Sequence, residues 1–188
     1  MLSWLIILSL FVGTAPGSPA PPDVQRLVDA RIAAGHTPGL AVGIIDRDHG
    51  VRMYFGGVLR SGGTQPIDAD TVFEIGSISK VFTTLLLARL AAEGRVALAD
   101  PVQAHLPPEV VLPVIEETPI TLEHLAPHTS GLARMPSNLA PADPANPYAD
   151  YTVKRLYDHR VEVGPGRAPG GATHYSNLGL GLLGRSLE

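Results

Sequence analysis

Phe73-Glu74-Ile75-Gly76-Ser77-Ile78-Ser79-Lys80-Val81-Phe82-Thr83-Thr84-Leu85-Leu86-Leu87-Ala88-Arg89-Leu90-Ala91-Ala92 is the stretch that decides the fold of this chain. Val81, Phe82, Leu85, Leu86, Leu87 and Leu90 cover several faces of one helical run, and Gly94 closes it. A helix that is apolar all round belongs inside a protein. At its front, Ser77 and Lys80 stand three residues apart, so both side chains point into one space, about 5–6 Å between Cβ atoms. Ser77 is expected at the helix start, where unpaired backbone N–H groups and the positive end of the dipole suit an oxyanion.

The lysine is informative. The chain has two Lys against twelve Arg, so arginine is its habitual cation. Only lysine can give up its charge when desolvated, and a serine hydroxyl is a weak nucleophile until a base takes its proton. A plainer reading also fits: Ser77 as a helix cap and Lys80 reaching along the helix to water. With ten Ser and two Lys, about 0.1 accidental Ser-x-x-Lys matches are expected, so the motif needs a companion.

Tyr175-Ser176-Asn177, after the Pro169-Gly170 turn, is the candidate companion. A free phenol has a pKa near 10, and acting at neutral pH takes about 4 kcal/mol from neighbouring positive charge. Lys80 is the available supplier. Asn177 carries an amide donor and an acceptor, suited to holding a substrate amide. Here too a structural alternative stands, a buried aromatic side chain followed by a helix cap at Ser176 or Asn177.

Working outward, Val24, Leu27, Val28 and Ile32 repeat at helical spacing after Pro21-Pro22-Asp23, and Gly35 ends that helix. Leu40–Asp46 and Val51–Phe55 read as strands joined by the turn Asp48-His49-Gly50, an antiparallel hairpin rather than a β-α-β unit. Downstream, Thr121-Leu122-Glu123-His124-Leu125 is a short capped helix. Residues 136–147 form a loop, 150–162 an amphipathic helix, 164–171 a second loop and 176–188 a last helix. The fold class is therefore α/β (α+β), an antiparallel sheet region followed by a helical region.

Composition narrows the function. A net charge of −4 with scattered arginines gives no surface for nucleic acid. The absence of cysteine excludes disulfides, thiolate catalysis and thiolate metal sites. Leu5–Val12 is an apolar run too short to span a bilayer, followed by small residues with Ala15-Pro16-Gly17 as a cleavage site. Residues 1–17 are read as a signal peptide and 18–188 as the domain, with secretion or periplasmic export expected and an uncleaved membrane anchor as the rival.

Ser77-Ile78-Ser79-Lys80, then His128-Thr129-Ser130-Gly131-Leu132, then Tyr175-Ser176-Asn177 resemble the β-lactamase-related serine hydrolases. That group holds class C β-lactamases, D-alanyl-D-alanine carboxypeptidases and related esterases. The likeness runs from about Val24 to the end, and the Tyr-type second motif sets it nearer class C than class A. The resemblance implies a β-lactamase/transpeptidase-like fold. It also implies attack by Ser77 on an amide, β-lactam or ester carbonyl, through an acyl-enzyme that water releases. Lys80 and Tyr175 would relay protons, Asn177 would contact a small-molecule or peptide substrate, and no cofactor or metal would be needed. Thr173 departs from the large aromatic usual before the Tyr. The late Lys- or His-Thr/Ser-Gly strand of relatives does not occur in these 188 residues. The chain is accordingly read as the N-terminal portion of such a domain with its C-terminal strands missing; an unpaired sheet edge with exposed apolar surface is expected, and these 188 residues by themselves are expected to be a poor catalyst.

Three alternatives compete with this reading. Glu123, His124 and His128 suggest a zinc pair, but Pro127 interrupts the helix between the histidines and the His-Glu-x-x-His order is absent. A penicillin-binding sensor that is acylated without turnover keeps the same nucleophile. A conventional α/β-hydrolase lacks its Gly-x-Ser-x-Gly here. His49, His105 and His159 are expected at the surface.

Overall fold

The computed structural model describes residues 21–114, 117–159 and 167–188. The expected signal segment, the end of the expected 150–162 helix and the start of the 164–171 loop lie outside them. The chain divides into two compact units, Met1–Ile75 and Gly76–Glu188.

In the first unit, helix α1 (Pro21–Ala33) carries Asp23 in its first turn and Arg31 in its last, each complementing the helix dipole. Val24 and Val28, one turn apart, are buried, whereas Leu27 from the same apolar set faces out. Strands β1 (Gly39–Asp46) and β2 (Gly50–Gly57) pair antiparallel from Gly39↔Gly57 to Asp46↔Gly50. Asp46 builds the turn, its Oδ1 accepting the N–H groups of Asp48 and His49 at 3.1 and 2.6 Å. Those bonds and the neighbouring Arg52 hold the Asp46 carboxyl below the usual carboxylate range.

Helix α1 lies on β2 because Gly56 has no side chain. A Cβ there would come 2.6 Å from Val28 Cγ1. Gln25 Nε2 donates to Phe55 O at 3.0 Å across the same junction. The opposite face of the hairpin leaves Ile45, Val51 and Met53 exposed, as the period-two pattern requires when only one face is covered. The expected exposed apolar sheet surface is therefore present.

The second unit is helical. A 3₁₀ turn, Gly76–Ile78, leads into α2 (Ser79–Ala92), followed by α3 (Leu122–Leu125), α4 (Val153–Asp158) and α5 (Asn177–Ser186). Its core gathers Leu87 of α2, Val102, Leu122 and Leu125 of α3, Leu132, and Leu178, Leu180, Leu182 and Leu183 of α5. Helix α5 is the most deeply placed. Thr121 opens α3 through a capping box, its hydroxyl accepting the His124 N–H while His124 Nδ1 accepts the Thr121 N–H.

Three expectations change. Helix α2 is not enclosed: Leu87 and Leu90 are buried, but Phe82 and Leu85 are 61% and 63% exposed and Val81 and Leu86 also face out. Leu87 joins the core that α5 fills. The 150–162 helix begins at Val153, because Thr152 takes an extended backbone and caps it, accepting the Arg155 N–H at 3.3 Å. His159 is buried beside Ser137 rather than at the surface. Among the described residues no helix is long and apolar enough to cross a membrane.

Candidate active site

Ser77 sits in the 3₁₀ turn, two residues before α2, rather than in the α-helix itself. Its meeting with Lys80 survives this correction, since side chains at i and i+3 eclipse in 3₁₀ geometry. Lys80 Nζ donates to Ser77 Oγ at 3.1 Å. The cap position of α2 falls on Ile78, which has no side-chain acceptor, so no side chain caps the first N–H groups beside Ser77.

Tyr175 arrives from the far end of the chain, and its hydroxyl donates to Ser77 Oγ at 2.5 Å. Two cations attend its ring, Lys80 Nζ at 5.0 Å and the Arg134 guanidinium at 4.9 Å from the centroid. Burial pushes the Tyr175 phenol up. The hydrogen bonds with Lys80 and Ser77 and the charges of Lys80 and Arg134 outweigh it, so the phenol lies below its ordinary value. Ser77 Oγ is thus the meeting point of an amine and an acidified phenol.

A second strip of chain holds Tyr175 there. Residues 128–135 run beside 170–177, joined by Gly170 N–H to Thr129 O (2.9 Å), His174 N–H to His128 O (2.8 Å) and Asn177 N–H to Arg134 O (2.9 Å). Ser176 is buried and is the α5 cap, accepting the Gly179 N–H at 2.8 Å while donating to Ala133 O at 2.6 Å. The structural alternative for Ser176 is therefore correct, alongside the bond from Tyr175. Gly131 makes the strip possible: its φ is +76°, and a Cβ there would come 2.1 Å from Arg167 O.

Asn177 is not joined to the cluster. Its Nδ2 donates to Met135 Sδ at 3.1 Å, and its Oδ1 is buried without a partner. Of the four expected site residues, the structure brings Ser77, Lys80 and Tyr175 together and leaves Asn177 one residue beyond the cap. Sequence reasoning missed His128 and Arg134. The motif His128-Thr129-Ser130-Gly131-Leu132 was the available signal, though nothing in its spacing says that it lies against residue 175. The histidines of the zinc alternative are both engaged through Nδ1, His124 with the Thr121 N–H and His128 with the Ser176 N–H.

Two apolar clefts open elsewhere in this unit. One, of about 540 Å³, is lined by Leu106, Val111, Leu112 and Ile120; the other, of about 420 Å³, by Leu87, Ala91, Leu98 and Pro127. Neither has Ser77 in its wall. Tyr175 is 37% exposed and Ser77 is open, so the chemistry is presented at a surface.

The Beta-lactamase family model matches residues 24–188. The D-alanyl-D-alanine-carboxypeptidase/endopeptidase AmpH of Escherichia coli (strain K12) is 32% identical over 166 residues, covering 87% of this chain and 42% of that protein. A Beta-lactamase of Pseudomonas fluorescens is 30% identical, with 86% and 43% covered. Among solved structures, the Beta-lactamase/D-alanine Carboxypeptidase from Yersinia pestis complexed with citrate superposes with a TM-score of 0.74 at 28% identity, covering 88% of this chain and 47% of that one. A class C beta-lactamase gives 0.70 at 24% identity, covering 88% and 42%. The fold is thus part of the β-lactamase/transpeptidase-like fold, and the chain spans under half the length of the relatives it matches.

Proposed function

Because this chain belongs to the Beta-lactamase family, we propose that it works as a serine hydrolase of the penicillin-recognising type, with Ser77 as the acylated residue. The observation that carries the reading is the convergence of Lys80 Nζ and Tyr175 Oη on Ser77 Oγ at 3.1 and 2.5 Å. As the Ser77 oxygen bonds to the carbonyl carbon, its proton passes to the basic form of Tyr175 or Lys80. The front of α2, whose first N–H groups no side chain caps, would supply donors to the developing oxyanion. Collapse breaks the C–N or C–O bond, and the leaving group takes that proton back. Water then attacks the acyl carbon and loses a proton to the same base, which hands it to Ser77 Oγ as the acyl C–O bond breaks and the acid leaves. Substrates are small molecules or peptides with an activated amide, a β-lactam or an ester.

Incubation of the 188-residue chain with a penicillin, followed by intact-mass measurement, tests this. An adduct of one penicillin is expected on the native chain and none on Ser77→Ala. A transient adduct, with turnover of nitrocefin or a p-nitrophenyl ester, supports the hydrolase. A persistent adduct assigns the sensor reading instead, and an adduct that survives Ser77→Ala rejects both. The apolar run and small residues before position 18 support work outside the cytoplasm.

A further inference from the structure

His128 grips three consecutive residues of the Tyr175 segment. Its carbonyl accepts the His174 N–H at 2.8 Å, its ring lies 4.6 Å from the Tyr175 ring at a 38° tilt, and its Nδ1 accepts the Ser176 N–H at 3.1 Å. It does so from a backbone φ of +63°, a left-handed conformation that is strained for a non-glycine residue. Strain of this kind persists only where surrounding bonds impose it, and here those bonds lead to Tyr175.

The Ser176 bond also defines the chemistry of the ring. An imidazole nitrogen that accepts a hydrogen bond carries a lone pair, so the neutral ring bears its proton on Nε2. Protonation of Nδ1 would set an N–H donor against the Ser176 N–H donor. The bond would be lost at the residue that caps α5 and directly follows Tyr175.

We infer that His128 is a positioning residue for Tyr175: as neutral imidazole it holds the phenol on Ser77 Oγ, and protonation of its ring releases the phenol. The groups around it oppose that protonation. Lys80 and Arg134 both bring positive charge to the Tyr175 ring that His128 stacks on, Tyr175 itself is neutral in its hydrogen-bonded form, and no carboxylate bonds to the imidazole among the described residues. Burial, with the Lys80 charge, holds His128 below its ordinary value. The hold is therefore lost on acidification with a midpoint below about pH 6.5.

The consequence for catalysis rests on the proposed role of Tyr175, but the hold is measurable without activity. The test is a pH titration of the full chain by NMR, following the His128 imidazole nitrogens, the Tyr175 ring carbon bearing the hydroxyl and the Ser176 amide. Expected above the transition is an unprotonated Nδ1. Below pH 6.5, all three signals should move with a common midpoint. His128→Asn is the comparison: asparagine tolerates the left-handed backbone and offers an oxygen acceptor that does not titrate. In that variant the Tyr175 and Ser176 signals should stay flat through the same range.

Signals at Tyr175 and Ser176 that ignore the His128 midpoint, or an unchanged Ser176 transition in His128→Asn, overturn the inference. In acylation assays the native rate should fall more steeply with acid below the His128 midpoint than above it, and His128→Asn should lose that added steepness. Acylation with identical acid limbs in the two proteins rejects the role of His128 and spares the proposed function. A shared NMR midpoint in a chain that is never acylated does the reverse.

Discussion

Lys80 and Tyr175 divide the work at Ser77 in a way that two substitutions separate. Lys80→Arg keeps a positive charge near the Tyr175 ring but cannot give up a proton, so acylation should fall by about 10²–10⁴-fold, read as the rate of adduct formation by mass. Tyr175→Phe removes the phenol and should cost a similar factor. Its pH dependence is more telling. The Tyr175 phenol is held below its ordinary value, so its basic form grows as pH rises, with a midpoint below 10. The native acylation rate should climb with pH to a plateau, with a midpoint below 10, and Tyr175→Phe should lack that climb. Arg134→Gln removes one of the charges that lower the phenol, so its plateau should be reached at higher pH. His128 adds a stability effect of definite sign. Its folded value is below about 6.5, so its contribution is whole above that pH and is lost as pH falls through the folded value. The Ser77–Lys80 pair was legible in the sequence because both members lie within one turn. The Arg134 and His128 contacts were not, because they depend on where residues 128–135 meet residues 170–177.

At the scale of the element, helix type and length followed side-chain periodicity, whereas boundaries followed caps. Helix α4 starts where Thr152 can accept an N–H, not where the amphipathic pattern starts. Ser77 falls in a 3₁₀ turn because α2 begins at Ser79, without a capping side chain. Two substitutions test what holds the elements together. Thr121→Ala removes the hydroxyl half of the α3 capping box and should cost about 1 kcal/mol in urea unfolding. Gly131→Ala introduces a Cβ on a left-handed backbone, 2.1 Å from Arg167 O. It should cost more than about 1 kcal/mol, with a lower urea midpoint, and slow Ser77 acylation by displacing the strip that holds Tyr175. A Gly131→Ala protein as stable as the native chain would show that this strip does not depend on the close approach.

For the whole molecule, the two units differ in what protects them. The first rests on a two-stranded sheet, Val24, Val28 and Ile67, and a lone hairpin is marginal in water. The second encloses the leucines of α5 in a continuous core. Amide exchange should therefore be faster in β1 and β2 than in α5, measured by hydrogen exchange on the intact chain. The outward face of α2 presents Val81, Phe82, Leu85 and Leu86. The 188-residue chain should bind a hydrophobic dye and self-associate, and Phe82→Ser with Leu85→Glu should reduce both while changing stability by less than about 0.5 kcal/mol each.

What could be read before folding was whatever the chain encodes locally. The α2 run, the hairpin, the α3 cap and the Ser-x-x-Lys spacing each depend on residues within a few positions, where backbone geometry alone sets the outcome. Only the folded arrangement could bring a phenol 98 positions away onto Ser77 Oγ. The same arrangement sets His128 against Tyr175 and uncovers a face of α2 that its composition had assigned to the interior. Those features depend on which surfaces meet, and no local pattern records that.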